Sequence, residues 1–274
     1  MKTRILQIGI WLILIVSAAF TIFPFILMAA TSLKASQEII STSLNIFPRK
    51  PILLNYLKVF GETLVVRYML NGFIVVTLIL ASQLLINLPA AYAFAKREFP
   101  FKKLLFACIL AALVFPRYIA AIPNFLILSR FRLIDTYSAL IVPMIASPFC
   151  IFLLRQYILT IPEDYFDAAK IEGCSIFRTI FEILVPMIRP AIGSFAIFSI
   201  VIHWNDFFWP LIVIQSREMF TPPAGIVFFA DAEGASDWGA IMAASMLTVA
   251  PLIVLFLSLT KQFIASLTHT GLKG

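Results

Sequence analysis

Few residues in this chain could do chemistry, and their spacing excludes most of it. The two histidines, His203 and His269, stand far apart with no H-E-x-x-H pattern to set two imidazoles on one helix face for a metal. No glycine precedes a lysine, so the G-x-x-x-x-G-K-[ST] phosphate cradle is absent and the chain is not expected to hydrolyse ATP by itself. There is no G-x-S-x-G nucleophile elbow. Cys108, Cys150 and Cys174 stand singly, an odd count without C-x-x-C spacing, which suggests neither a disulfide framework nor a zinc site. The chain is predicted to be no enzyme and to bind no cofactor or metal. Two lone charges remain, Arg117 and Asp206, each inside a long apolar run. An ionisable group in such a run is costly in a bilayer and commonly faces a pathway or a partner, so Arg117, Asp206 and the adjacent Asn205 are candidates for a solute pathway. The competing readings are a snorkelling or chain-contacting Arg117 and an interfacial aromatic belt of Trp204, Phe207, Phe208 and Trp209 around Asp206.

The elements that must position these residues are membrane spans. Apolar residues make up 61% of the 274 and charged ones 13%, about half the share in a soluble domain. Mean hydropathy is +0.99. The net charge of +7 is scattered between apolar runs, which argues against a nucleic-acid surface and for basic loops flanking a bilayer. Crossing the ~30 Å hydrocarbon core takes about 20 apolar residues as a helix. No charge falls in 5–32, 68–95, 136–154 or 238–260, and one falls in each of the runs 104–129 and 190–216. The prediction is an all-α protein with six transmembrane helices. The first apolar run exceeds the roughly 7–15 residues of a signal-peptide core and is expected to be retained as a span. Four basic residues in the short loop Lys96–Lys103 place that loop, and with an even span count both termini, in the cytoplasm. The chain divides as 1–33, the first span; 34–67, an outer loop; 68–264, a core of five spans; and 265–274, a cytoplasmic tail.

One loop differs from the others. Between Arg155 and Pro186 charge returns on a helical background. Thr160 and Glu163 have capping-box spacing around Pro162, predicting a short helix to Glu172. Gly173 suits a left-handed stop or a close backbone approach, and Ser175 can cap a second helix running to Pro186. Phe166, Ala169, Ile176, Ile180 and Leu184 form the apolar positions, leaving Glu163, Asp164, Asp167, Lys170 and Arg178 for water or a partner. On pattern alone an amphipathic loop lying on the lipid surface fits equally.

Asp167-Ala168-Ala169, Gly173 three residues on, and Ile183-Leu184-Val185-Pro186 after nine more match the E-A-A, G, I-x-L-P signature of the membrane subunits of ATP-binding-cassette importers, with Asp167 for Glu and Val185 for Leu. The phrases Ala90–Arg97, Leu153–Gln156, Trp204–Pro210 and Leu267–Gly274 resemble carbohydrate-uptake permeases of this type, over the whole chain. The resemblance implies the type I importer permease fold in a bacterial inner membrane, and a coupling helix whose ATPase contacts fall on Asp167, Ala168, Ala169, Gly173, Ile183, Val185 and Pro186. It also implies a sister permease, two ATPase subunits that carry ATP and magnesium, and an extracytoplasmic solute-binding protein. The expected solute is a sugar or oligosaccharide, with a phosphorylated polyol as the alternative. A secondary transporter would need an ion site and an internal repeat that the sequence does not show, and a scaffold would need no docking loop.

Overall fold

The computed structural model describes the backbone of residues 2–41, 45–232 and 237–270, and side chains over 6–41, 45–116, 118–227 and 237–258. Among them the regular structure is helical. It comprises α1 (Lys2–Ser32), α2 (Ser36–Ile40), α3 (Leu54–Glu62), α4 (Val65–Lys96), α5 (Lys102–Val114), α6 (Ala121–Arg130), α7 (Tyr137–Ile141) and α8 (Pro148–Leu159). There follow α9 (Asp164–Ile171), α10 (Ile176–Arg178), α11 (Val185–Met187), α12 (Arg189–Trp204), α13 (Phe208–Val213), α14 (Pro222–Ala232) and α15 (Trp238–Thr270).

Among the described residues, three of the predicted spans are continuous helices: Leu6–Ser32, Val65–Lys96 and Trp238–Ser258. The other three are bent pairs, α5 with Tyr118–Arg130 at 91°, Tyr137–Met144 with α8 at 44°, and Ile176–Met187 with α12 at 84°. Proline explains where each breaks. Phe115 and Ser147 are extended, as the residue before a proline prefers, and precede Pro116 and Pro148. Pro190 lacks an amide hydrogen and its ring crowds the carbonyl four residues back, which favours the break at Ile188 between Met187 and α12. Pro24, Pro89 and Pro251 sit inside α1, α4 and α15 without ending them.

The chain forms two compact units, residues 1–66 with 224–251 and residues 67–223 with 252–274. In the first, Asn55 of α3 donates to the carbonyls of Ser32 and Lys34, both at 2.8 Å, satisfying backbone groups at the end of α1 and just beyond it. Gly239 lies against that amide, where a Cβ would stand 2.6 Å from Asn55 Nδ2. Lys58 pairs with Asp237 at 2.8 Å.

The second unit is organised by α4. Its buried positions Tyr68, Asn71, Val75, Ile79, Gln83, Asn87 and Ala91 recur every three or four residues, while Phe73, Leu78 and Leu85 face outward. Where nearly every position is apolar, the amides mark the inner face, because a lipid-facing amide would lose all its hydrogen bonds. They also mend the broken span. Gln83 Nε2 donates to Met144 O at 2.8 Å, and Asn87 donates to Ile145 O at 2.9 Å and accepts from Ser147 N at 3.1 Å. Those are backbone groups freed by the bend before α8. Asn71 likewise donates to the carbonyls of Glu218 and Phe220 and accepts from the Tyr137 hydroxyl at 2.7 Å.

Candidate functional site

Two features of the second unit can do work: the segment 160–187 and a cavity walled by α4, α5, α8 and α12 with the turns before α6 and α8.

The segment is a helix, a glycine joint and a helix. α9 ends in a Schellman arrangement, with Gly173 N donating to Lys170 O at 3.0 Å and Cys174 N to Ala169 O at 2.9 Å, and Gly173 takes φ +72°. A Cβ there would meet no atom of this chain within 4 Å, so the glycine serves the left-handed turn and leaves its surface open. Ser175 caps the next helix, its hydroxyl accepting from Arg178 N at 3.3 Å. That helix passes through a π-helical stretch, Thr179–Leu184, before α11.

The predicted capping box does not form. Thr160 instead donates to Tyr157 O at the end of α8, and Glu163 turns away to pair with Lys96 Nζ at 2.8 Å, so α9 begins without a side-chain cap. Glu163 is therefore engaged, as are Asp167, which pairs with Lys170 at 2.7 Å, and Arg178, which pairs with Glu182 at 2.7 Å. The hydrogen bond from Lys170 to the Asp167 carboxylate raises the lysine's pKa. Of the predicted apolar positions Phe166, Ala169, Ile180 and Leu184 are buried, but Ile176 is 54% exposed. Asp167, Ala168, Gly173 and Pro186 are exposed; Ile183 and Val185 are half-buried. Ile171 is 87% and Phe177 72% exposed, and Phe177 stacks on Phe181 with centroids 6.3 Å apart, so this surface offers apolar as well as charged groups.

Behind the segment lies a single packed cluster. Phe166, Ile180 and Leu184 belong to it together with Leu88, Tyr92, Leu154, Ile158 and Phe195. Phe195 also walls the cavity.

The cavity has a volume of about 770 Å³. Phe115, Tyr118, Phe149, Phe152, Phe198 and Trp209 supply aromatic wall, and Gln83, Asn124, Ser147, Ser199 and His203 supply polar groups. Gln83 is held on three sides: it donates to Met144 O, accepts from Ser199 Oγ at 2.7 Å and meets His203 Nε2 at 3.3 Å. Met144 O fixes the amide nitrogen of Gln83 as a donor, which the Nδ1-protonated tautomer of His203 can accept through Nε2.

Of the predicted pathway residues, Asn205 and Asp206 do not line this cavity. Asn205 is exposed at the end of α12, its amide donating to Val201 O at 2.8 Å. Asp206 lies in the turn between α12 and α13, outside either helix; it is buried, and its carboxylate accepts from Trp209 N at 3.3 Å. Arg117 opens a 3-10 turn between the lining residues Pro116 and Tyr118, and its side chain is outside the described residues; of the predicted tail 265–274, the backbone to Thr270 continues α15 and residues 271–274 are outside the described residues. Trp204 and Trp209 are buried, and Trp209 Nε1 donates to Ala139 O at 2.9 Å, so of the four aromatics only Phe207 and Phe208 are exposed as a belt requires. Gln83, Asn87, Ser199 and His203 were not singled out from the sequence. The signal available for the first two was their spacing of four on one apolar helix.

Residues 86–269 match the family described as binding-protein-dependent transport system inner membrane component. Among curated relatives, the arabinooligosaccharides transport system permease protein AraQ of Halalkalibacterium halodurans is 31% identical over 100% of both chains. The sn-glycerol-3-phosphate transport system permease protein UgpE of Escherichia coli is 26% identical over 94% of each. A chain from the crystal structure of a bacterial transporter that imports the acidic polysaccharide alginate superposes with a TM-score of 0.85 at 20% identity, covering 96% of this chain and 98% of that one, and so shares its fold.

Proposed function

The chain belongs to the family of binding-protein-dependent transport system inner membrane components, and we propose that it is one permease subunit of an ATP-driven importer for a sugar or oligosaccharide. In this reading each bent pair is one span, giving six, with both termini in the cytoplasm of a bacterial inner membrane. A sister permease completes the pathway, two ATPase subunits supply ATP and magnesium, and an external binding protein delivers the solute. Residues 160–186 receive the ATPase subunit. Asp167, Ala168 and Gly173 form the outward surface, and Ala169 with Phe166 faces the protein.

The observation that carries this reading is the continuity of the buried cluster from Phe166 on the docking segment to Phe195 on the cavity wall. Close-packed side chains transmit a displacement because the interior has little room to absorb it. Aromatic faces beside amides and hydroxyls suit a sugar ring, whose C–H face stacks and whose hydroxyls need hydrogen bonds. A phosphorylated polyol is the second reading, supported by the position of Arg117 between two cavity-lining residues and by the similarity to UgpE.

Tagged chain drawn from its native membrane and identified by mass spectrometry should bring a second permease and an ATPase. The assembled importer, reconstituted with its binding protein, should take up an arabino-oligosaccharide in preference to sn-glycerol-3-phosphate. Recovery of this chain alone, or ATP hydrolysis by it without partners, would remove the importer reading; preference for the phosphate ester would select the second solute. Orientation is read separately: Phe99→Cys should resist a membrane-impermeant maleimide in intact cells and Gln37→Cys should react.

A further inference from the structure

We propose that Lys96 is a positioning residue that makes α4 follow the docking segment, a role that rests on residues 160–186 being the surface that receives the ATPase. Lys96 is the last residue of α4, where a cation is favoured by the helix dipole and could simply extend into water. It does not. Its side chain is 7% exposed, and its ammonium donates to Ile161 O at 2.8 Å, pairs with Glu163 at 2.8 Å and lies 4.9 Å over the ring of Phe166. All three partners fall within the six residues that lead into and begin α9. Removing an ammonium from water is costly unless its hydrogen bonds are replaced, and here the segment 161–166 replaces them.

This contact differs from the other ion pairs of the segment. Asp167 with Lys170 and Arg178 with Glu182 join neighbours on one helix and are more than half exposed, so they move with their own helix and tie it to nothing else. Lys96 and Glu163 are 67 residues apart in sequence and join two elements. Phe166 adds an apolar contact beside the polar one, its ring 5.7 Å from that of Tyr92, one turn back on α4. The same continuous helix holds Gln83 and Asn87, the two amides that secure the broken span at the cavity wall, roughly 14–20 Å away at the usual rise per residue. A pull on Glu163 and Phe166 is thereby delivered to Met144, Ile145 and Ser147 along one continuous helix, in which Pro89 lies between the two contact points.

The test needs no knowledge of the solute. In the assembled importer, with Cys108, Cys150 and Cys174 replaced, Ala146→Cys places a thiol on the cavity wall. Its rate of maleimide labelling is measured before and after trapping the ATPase subunits with ATP and vanadate. The parent should show a trapping-dependent change in rate. Lys96→Met should shrink that change about fivefold, the low end of usual coupling effects, while the ATPase subunits still co-purify and hydrolyse ATP. Lys96→Arg, which keeps the charge and the donors, should retain it; a purely structural role for the position would not separate hydrolysis from the cavity response. If Lys96→Met does not assemble, Glu163→Gln breaks the ion pair from its exposed side and is read in its place. A full-sized change in the Met variant, or its Gln substitute, overturns the proposal. So does a parent with no change; if Gly173→Asp then also leaves ATPase binding intact, the docking reading falls with it.

Discussion

The docking segment 160–187 and the inner face of α4 both carry polar residues through an apolar chain, and they use them in opposite ways. On the segment the polar groups are charged and exposed, and the pairs Asp167–Lys170 and Arg178–Glu182 close on their own helices. Such pairs contribute little to stability in water. On α4 the polar groups are neutral and buried: Asn71, Gln83 and Asn87 are 0%, 3% and 2% exposed, and each amide meets backbone groups of another element. The difference teaches what polarity is for in a membrane chain. A buried neutral amide has no water to compete with and fixes the fold, whereas an exposed charge costs little and remains available to a partner.

The comparison is broken most directly at Asn87. Asn87→Leu keeps the volume roughly but leaves Ser147 N and Ile145 O without their amide partner inside the protein. At ~1–3 kcal/mol for each unsatisfied buried group, the loss should be about 3 kcal/mol, seen as a lowered Tm in detergent and reduced membrane levels. An Asn87→Leu protein as stable as its parent would mean the bend at Ser147 is satisfied some other way.

Gly173→Asp should come next, with its effect on partnership instead of on the span. A non-glycine residue in the left-handed region costs about 1–2 kcal/mol locally. A Cβ there meets no atom of this chain within 4 Å, so the added carboxylate starts from the surface proposed to receive the partner. Pull-down of the ATPase subunits should fall at least about tenfold, the equivalent of ~1.4 kcal/mol, with insertion unchanged. Unimpaired pull-down would leave the segment as an amphipathic loop on the lipid surface.

Asp167→Ala sharpens the contrast by removing charge without bulk. Tm should be unchanged, because the pair with Lys170 is exposed, while ATPase association weakens about threefold, as expected for one charge at an interface rim. A drop in Tm comparable to that of Asn87→Leu would erase the distinction between the two regions.

The smallest effect is expected at Asp135, a carboxylate used in the manner of the α4 amides. Burial alone would push its carboxyl up; hydrogen bonds from the Ser216 hydroxyl at 2.6 Å and from the Ser216 and Gln215 amides at 3.0 Å outweigh this and hold it below the usual value. A carboxyl depressed in the folded state adds stability that is complete above its unfolded pKa of ~3.9 and is lost as pH falls through the folded one. The Tm difference between the parent and Asp135→Asn should therefore be present at pH 7 and close as pH falls below about 4. A gap that persists at low pH would assign the stabilisation to shape alone.

Composition determined on its own that this chain lives in a bilayer, because burying so little charge among so many apolar residues leaves no other solvent for it. Spacing determined the joint at Gly173 and the cap at Ser175, since both are local backbone events that a few neighbouring residues settle. Proline alone did not mark the breaks: Pro116, Pro148 and Pro190 stand at them, whereas Pro24, Pro89, Pro123 and Pro251 lie inside helices that continue. Tertiary structure decided the rest. Hydropathy cannot tell the buried face of α4 from its lipid face when both are apolar, so Gln83 and Asn87 acquire meaning only beside Met144, Ile145 and Ser147. The sequence spacing offered Glu163 to a capping box, and the fold gave it to Lys96 instead, 67 residues away, because a buried ammonium competes for a carboxylate more strongly than an exposed helix end does.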